Sequence, residues 1–261
     1  MPYSDAEITW IKNRLKTTQM KWHVKFFDAV DSTNELTKHL LSQGEPEGTV
    51  IVADSQAQGK GRMGRTWFSQ KEMGVYLSLL LVPRIPVDRV HQLTLMTAIA
   101  VVETLNAFSR TRATLKWPND VLIKGKKISG TLSENVVSGK HSGVVIGIGI
   151  NVNHSQFPAP LDCLATSLLM ENGETTDRKR VIATLLENFD REYQSYCRQG
   201  MTGIAGRWTQ HSEMFGKKIR VTQGQERFSG TALRLDDSGC LVVLTESGKE
   251  VSLDSGEVTL Q

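Results

Sequence analysis

The feature that most limits what this chain can fold into is a change of texture near residue 213. From residue 216 onward nothing carries helical spacing. Four short β-type runs, KIRVT, RFSGTAL, CLVVLT and EVSLD, are separated by turn signals at Gly224, Asp237-Ser238-Gly239, Ser247-Gly248 and Ser255-Gly256. That punctuation at roughly 8–12 residue intervals is the pattern of a small barrel or sandwich. Upstream, helical runs alternate with short apolar ones, which predicts a mixed α+β region. The expected domains are therefore residues 1–212 and a small β-domain of SH3-like size at residues 213–261.

Within the first region the spacing predicts helices over residues 4–17, 32–42, 88–108, 177–197 and 202–211. Asp31 or Ser32 is the expected N-cap of the second, and Gly44 its end. The helix at 88–108 places Leu93, Met96, Ile99, Ala100 and Leu105 on or near one face. Strands are predicted over residues 24–27, 49–53, 75–82, 114–117, 121–123, 128–135 and 143–151, with a hairpin at the KGKK turn.

Composition removes whole classes. In 261 residues, 39% are hydrophobic and 23% charged, which excludes a disordered, collagen-like or coiled-coil chain. The net charge of +3, from 31 basic and 28 acidic residues, is too balanced for a nucleic-acid coat protein. Cys163, Cys197 and Cys240 have neither metal-ligand spacing nor an even count, so a reducing compartment is expected. The N-terminus has no cationic region leading into an apolar run, and the longest apolar stretches fall far short of the ~20 residues that span a bilayer. A cytoplasmic protein is the expectation.

The glycine loop Gly59-Lys60-Gly61-Arg62-Met63-Gly64 satisfies GxGxxG and follows a predicted strand. A dinucleotide fold needs a helix to open there, and an acidic residue about 20 positions later. Here the loop runs through a turn into another strand. A Walker A reading fails because Arg65 stands where lysine is required. What remains is a backbone that can approach a ligand closely, with Lys60, Arg62 and Arg65 beside it. A solvated basic turn would look the same.

A second string, Lys116-Trp117-Pro118-Asn119-Asp120, exposes polar atoms at a turn, with Lys127 seven residues beyond Asp120. A loop with a core-packing Trp and an exposed hairpin lysine is the plainer alternative. Gly147, Gly149, Asn151 and Asn153 close a later strand. They form either a ligand wall or a simple strand exit.

Taken in order, DSTN (31–34), GKGRMGRTWFS (59–69), KWPNDVLIKGKKISG (116–130) and GIGINVN (147–153) resemble the signature of bacterial biotin protein ligases, the biotin–[acetyl-CoA-carboxylase] ligases. The resemblance covers about residues 22–261. It implies a mixed β-sheet flanked by helices, related to class II aminoacyl-tRNA synthetases, plus an SH3-like β-barrel. It implies two half-reactions: biotin and ATP with Mg²⁺ give biotinyl-5′-AMP, and biotin is then transferred to a lysine of a biotin carboxyl carrier domain.

Matched motif by motif, the resemblance places Ser32, Thr33, Asn34, Gln56 and Gly130 against biotin. Lys60, Gly61 and Arg62 close over biotin and the acyl phosphate. Arg65, Trp67, Asn119, Asp120 and Asn151 face the nucleotide, with Asp120 beside Mg²⁺. Lys127, touching both reactants, is the expected main catalytic charge, aided by Arg62 and Arg65. The loop departs from the family's usual GRGR: Lys60 keeps the charge but not the guanidinium fork, so faster loss of biotinyl-AMP is expected. About 22 residues precede the catalytic region, against the ~60 of a helix-turn-helix domain. The expectation is a monofunctional ligase, or one from which that domain has been removed, with no DNA or membrane partner. Homodimerisation through a sheet edge is common in the family but is not readable here. The rivals are a lipoate or octanoate ligase, a biotin-sensing DNA-binding regulator, and a pure binding module. The last has no use for several cations around a phosphate-sized space.

Overall fold

The computed structural model describes residues 3–260, apart from the side chain of Thr17. Met1, Pro2 and Gln261, the outermost residues of the two expected domains, lie outside the described residues. The chain runs α1 (Asp5–Arg14), β1 (His23–Phe27), α2 (Thr33–Ser42), β2 (Thr49–Ala53), β3 (Gly74–Leu81), α3 (Val90–Phe108), β4 (Thr114–Lys116), β5 (Asp120–Ile123), β6 (Lys126–Ser138) and β7 (His141–Asn151). It continues through α4 (Leu168–Asn172), α5 (Arg178–Gln199), α6 (Thr202–His211), β8 (Lys218–Gln223), β9 (Glu226–Leu235), β10 (Leu241–Thr245), β11 (Glu250–Leu253) and β12 (Glu257–Leu260).

β1–β7 form one sheet in the order β1-β2-β3-β7-β6-β5-β4. Only β1 and β2 pair in parallel; the other pairs are antiparallel. Alternation sorts the side chains of the two central strands. Val75, Leu77, Leu79 and Leu81 of β3, with Val144, Ile146, Ile148 and Ile150 of β7, point into the main core. Ser78 and Leu80 of β3 and Val145 of β7 point the other way, towards α2. α3 and α5 therefore cover one face of the sheet and α2 the other.

α3 differs from its expected form. It is buried on every side: twelve of its nineteen residues are inaccessible, including Thr97 and Thr104. Those hydroxyls survive burial by donating to the carbonyls four residues back, Leu93 (2.6 Å) and Ala100 (2.7 Å). α5 is amphipathic as its spacing predicts. Asp177 caps its start by accepting from the Lys179 N–H, and Gly200 ends it with φ 59°. Ser32 is the N-cap of α2, but its hydroxyl makes no capping bond.

β8–β12 form an antiparallel sheet in the order β11-β10-β9-β8-β12. β12 goes beyond the four expected strands; its four residues carry too short an alternation to read. Its position closes the fold. A flat five-stranded sheet would hold its edges about 19 Å apart. The link from Leu253 to Glu257 spans at most about 14 Å. The sheet must curl, which gives the small barrel. Its inward residues Ile219, Val221, Ala232, Leu241 and Val243 join the same apolar cluster as α3, α5 and Trp208 of α6. The change of texture in the sequence is thus not a break in the core.

Candidate active site

The α2 face of the sheet encloses a cavity of about 380 Å³. That volume suits a small-molecule site. Two of its walls exist because β7 carries glycine where its neighbours carry Ile and Val. A Cβ on Gly147 would stand 2.2 Å from Asn34 Oδ1, and one on Gly149 would stand 2.3 Å from the Trp67 ring. Both side chains lie directly on the strand backbone, in space that any larger residue would take.

The floor is the start of α2. Ser32, Thr33 and Asn34 are buried yet polar. Thr33 Oγ1 donates to Gln56 Oε1 (3.1 Å), and Ser78 Oγ lies 2.7 Å from Thr33 Oγ1 and 2.6 Å from Asn34 Oδ1. These three contacts share two hydroxyl hydrogens. The floor is therefore rich in acceptors and complementary to a ligand that brings N–H donors. Gln56 is itself fixed by donating to Ser69 Oγ (2.7 Å).

The glycine loop arches over the cavity as a tight hairpin, without a helix after it. Lys60 bridges Thr66, the Gly61 N–H donates to Arg65 O (2.7 Å), and the Trp67 N–H donates to Gly59 O (2.8 Å). Met63 (φ 55°) and Gly64 (φ 72°) make the left-handed tip. A buried ion pair moors both ends of this segment: Arg178 Nη1 donates to Asp54 Oδ1 (2.6 Å) and to Gly74 O (3.2 Å).

Arg62 drops from the loop to donate to Asn119 Oδ1 (3.0 Å), tying the glycine loop to the KWPND turn. Burial holds its guanidinium below the usual value, with the charge of Asp120 working the other way. Asn119 in turn donates to Thr131 O (2.9 Å). Lys60 pairs with Glu35 of α2 at 2.7 Å. Arg65 lines the cavity, but its guanidinium pairs with Glu257 of β12, an acid of the small barrel within its reach.

Lys127 reaches the site through a β-bulge. The β5–β6 register pairs Val121 with Ser129 but Leu122 with Lys127, leaving Ile128 as the extra residue. Without the bulge, residues 127 and 130 would face opposite sides. With it, the Lys127 stem packs beside Gly130, where an added Cβ would meet Lys127 Cε at 2.9 Å. Lys127 Nζ then sits 2.6 Å from Asp120 Oδ1 and over the Trp67 ring, 5.4 Å from its centroid. The Lys127 N–H and C=O bond to Leu164 O (2.8 Å) and the Thr166 N–H (3.0 Å), which ties in the loop after β7.

The structure thus gathers around one cavity Ser32, Thr33, Asn34, Gln56, Lys60, Gly61, Arg62, Arg65, Trp67, Asn119, Asp120, Lys127, Gly130 and Asn151. Asn151 and Asp120, like the cations above, are already engaged within the protein. Asn151 is buried and donates to Thr166 O (3.0 Å). Asp120 spends one oxygen on Lys127, and no group of three His, Cys, Asp or Glu capable of holding a metal occurs among the described residues. Sequence reasoning missed Phe68, Phe157, Leu161, Leu164 and Ala165, which complete the wall. Phe157 stacks on His154 at 4.9 Å; that buried imidazole touches Tyr76 Oη (3.3 Å) and is pushed down to about 4 by burial. These loop residues carry no periodicity that could have flagged them. No described helix is long and apolar enough to cross a membrane.

With the geometry established, comparison adds relatives. The family model described as "Biotin/lipoate A/B protein ligase family" matches residues 26–151, and "Biotin protein ligase C terminal domain" matches residues 214–260. The Bifunctional ligase/repressor BirA of Bacillus subtilis is 40% identical over 248 residues, which is 94% of this chain and 75% of that protein. The Biotin--[acetyl-CoA-carboxylase] ligase of Mycobacterium tuberculosis is 33% identical over 233 residues, covering 87% of this chain and 85% of that protein. Among solved structures, a biotin protein ligase from Aquifex aeolicus in complex with biotin and ATP superimposes with a TM-score of 0.81 at 32% identity, over 92% of this chain and 98% of that one.

Proposed function

The chain belongs to the biotin protein ligase family, and from that premise we propose how its residues carry out an ATP-dependent biotinylation. The observation that carries the reading is the pairing of an acceptor-rich, buried floor with cations lining the same cavity. A ureido ring brings two N–H donors to that floor. Its valerate carboxylate then points towards Lys127, Arg62 and Lys60.

In the first half-reaction a carboxylate oxygen bonds to the α-phosphorus of ATP and pyrophosphate departs. Two anions approach, so the barrier is electrostatic, and fixed cations at the point of approach lower it. Lys127 is the main catalytic charge. It is oriented by Asp120 and the Trp67 face, and the backbone bonds of residue 127 hold its strand in place. Arg62 supports it from above. Gly61 lets the loop backbone approach the acyl phosphate, and Gly130, on the biotin side, leaves room for the Lys127 stem. Arg65, Trp67, Asn119, Asp120 and Asn151 bound the nucleotide side, with Arg65 exchanging Glu257 for phosphate. In the second half-reaction the amine of an acceptor lysine, on the biotin carboxyl carrier domain of a carboxylase, attacks the mixed anhydride. AMP leaves with the bonding electrons and the amine gives up a proton.

Mg²⁺ enters with ATP as part of the substrate. Asp120 is the single carboxylate on the cavity wall among the described residues, which fits an ion carried chiefly by the triphosphate. The domain boundary near residue 213 belongs to the same reading. It is supported by the separate family match over residues 214–260.

The test is ATP–pyrophosphate exchange with Mg²⁺, comparing biotin, lipoate, octanoate and no acid. Exchange with biotin alone is expected. Exchange with lipoate or octanoate alone would keep the adenylating site and overturn the substrate. No exchange from folded protein would sink the enzyme reading.

A further inference from the structure

Asn34 has a carboxamide with a donor end and an acceptor end of nearly equal shape. Which end faces the ligand decides whether the floor accepts or donates hydrogen bonds. The side chain is buried, so bulk water does not settle the matter.

Three neighbours settle it. The Asn34 amide nitrogen donates to Glu134 Oε2 at 2.7 Å and to Leu132 O at 3.4 Å, both on β6. An ionised carboxylate has no hydrogen to give, so only the NH₂ end can face it. The oxygen end must then lie over Gly147, where Ser78 Oγ donates to it at 2.6 Å. Glu134 is held in turn by Lys38 Nζ, 2.6 Å from its other oxygen. Lys38 also pairs with Glu35 at 2.8 Å, and Glu35 takes Lys60 of the glycine loop at 2.7 Å. A chain of alternating charges thus runs along α2 from the loop to the amide.

We infer that Glu134, kept in place by Lys38, is a positioning residue that fixes the polarity of the Asn34 carboxamide and so sets preference for an acid bearing ring N–H groups. This rests on the proposed placement of the acid against Asn34. Glu134 lies outside the cavity wall and reaches the ligand through Asn34. Replacing it with an apolar residue frees the amide to turn. The NH₂ end then meets the ligand's own N–H groups, and recognition of a ureido ring weakens. An acid whose ring has no N–H donor gains nothing from the original polarity and loses nothing when it is scrambled.

The experiment is a double-mutant cycle on the full chain, read by ATP–pyrophosphate exchange. Glu134→Leu is expected to raise KM for biotin about 10- to 100-fold, the size of leaving a buried ligand donor unsatisfied. KM for ATP and kcat should stay within about twofold. In an Asn34→Ala background the same change should do nothing further, because its target is gone. Glu134→Gln is isosteric and still accepts from the amide. It should keep KM near wild type, and Glu134→Ala runs the same cycle if the leucine variant does not fold. Additive effects in the double variant, or equal rises in both KM values, would overturn the inference while leaving the ligase reading intact. Failure of the wild-type protein to exchange with biotin would instead strike that reading itself.

Discussion

Gly149→Ala is the sharpest test of how the cavity is built. Gly149 sits near the end of β7, paired on its two sides with Tyr76 of β3 and Gly130 of β6, and has no positive φ. A methyl group there introduces no backbone strain, so any effect comes from contact. The built Cβ stands 2.3 Å from Trp67 Cε2 and Nε1 and 2.7 Å from Cζ2. The indole must retreat by about 1 Å to regain van der Waals distance. On one side stands the β7 backbone, and near its far edge the Gly130 Cβ position lies only 3.2 Å from Trp67 Cζ3. The remaining direction is into the cavity, under Lys127 Nζ. Overpacking of this kind costs about 1–3 kcal/mol. If the sheet yields, that amount is lost from stability, and a domain of this size should melt roughly 2–10 °C lower. If the ring yields, it is lost from binding as a 5- to 150-fold rise in KM for ATP. Thermal melting and exchange kinetics on the same preparation separate the two. A variant with both melting temperature and KM for ATP at wild-type values would refute the claim that β7 glycines make room for the indole.

Other expectations follow from single contacts. Lys127→Ala should lower the exchange rate about 10²–10³-fold, the usual effect of losing one transition-state donor, while the melting temperature moves little because the backbone bonds to Leu164 and Thr166 remain; wild-type exchange would remove the catalytic assignment. Lys60→Arg should slow dissociation of biotinyl-AMP, measured by chase with unlabelled ligand, since a fork replaces a point charge now shared with Glu35; an unchanged rate would discard the idea. His154 is held down to about 4 by burial. The unfolded state therefore binds the extra proton between about pH 6.5 and 4, and stability falls as pH drops through that window. His154→Gln should remove about 3 kcal/mol of that fall in paired denaturant titrations at pH 7 and pH 4; parallel curves for the two proteins would refute it.

The sequence carried most of the frame because its elements are locally consistent. TVIVA, the run at 75–82 and the long apolar helix need only composition and period to be placed. The failures share one cause: information held between segments. The bulge at Ile128 is invisible along the chain, yet it decides which way Lys127 points. β12 is too short to show alternation and exists because β8 offers an edge. The period of α3 marks only the face carrying Leu93, Met96 and Ile99, but its other faces are buried too, with Thr97 and Thr104 satisfied inside the helix. Phe157 and Leu164 reach the cavity only because Lys127 pins their loop. At the site, charge and glycine content were legible and partners were not. No spacing tells that Arg65 turns to Glu257 or that Glu134 backs Asn34.

The pairing of β3 with β7 also fixes when the cavity comes into being. The helix at its floor ends at Ser42, but Gln56 and Ser78, which complete the floor, and the walls come later. The walls wait for Gly74–Leu81 to bind His141–Asn151 and for the Lys127 backbone to capture Thr166. A chain emerging from the ribosome N-terminus first has released more than three-quarters of the catalytic region before any pocket can close. Long-separated contacts of this kind form late and slowly. Small ligands thus meet a finished domain or nothing. Biotin added to refolding protein should leave the folding rate alone and lengthen the lifetime of the folded state, since its contacts are absent from everything that precedes the last strand.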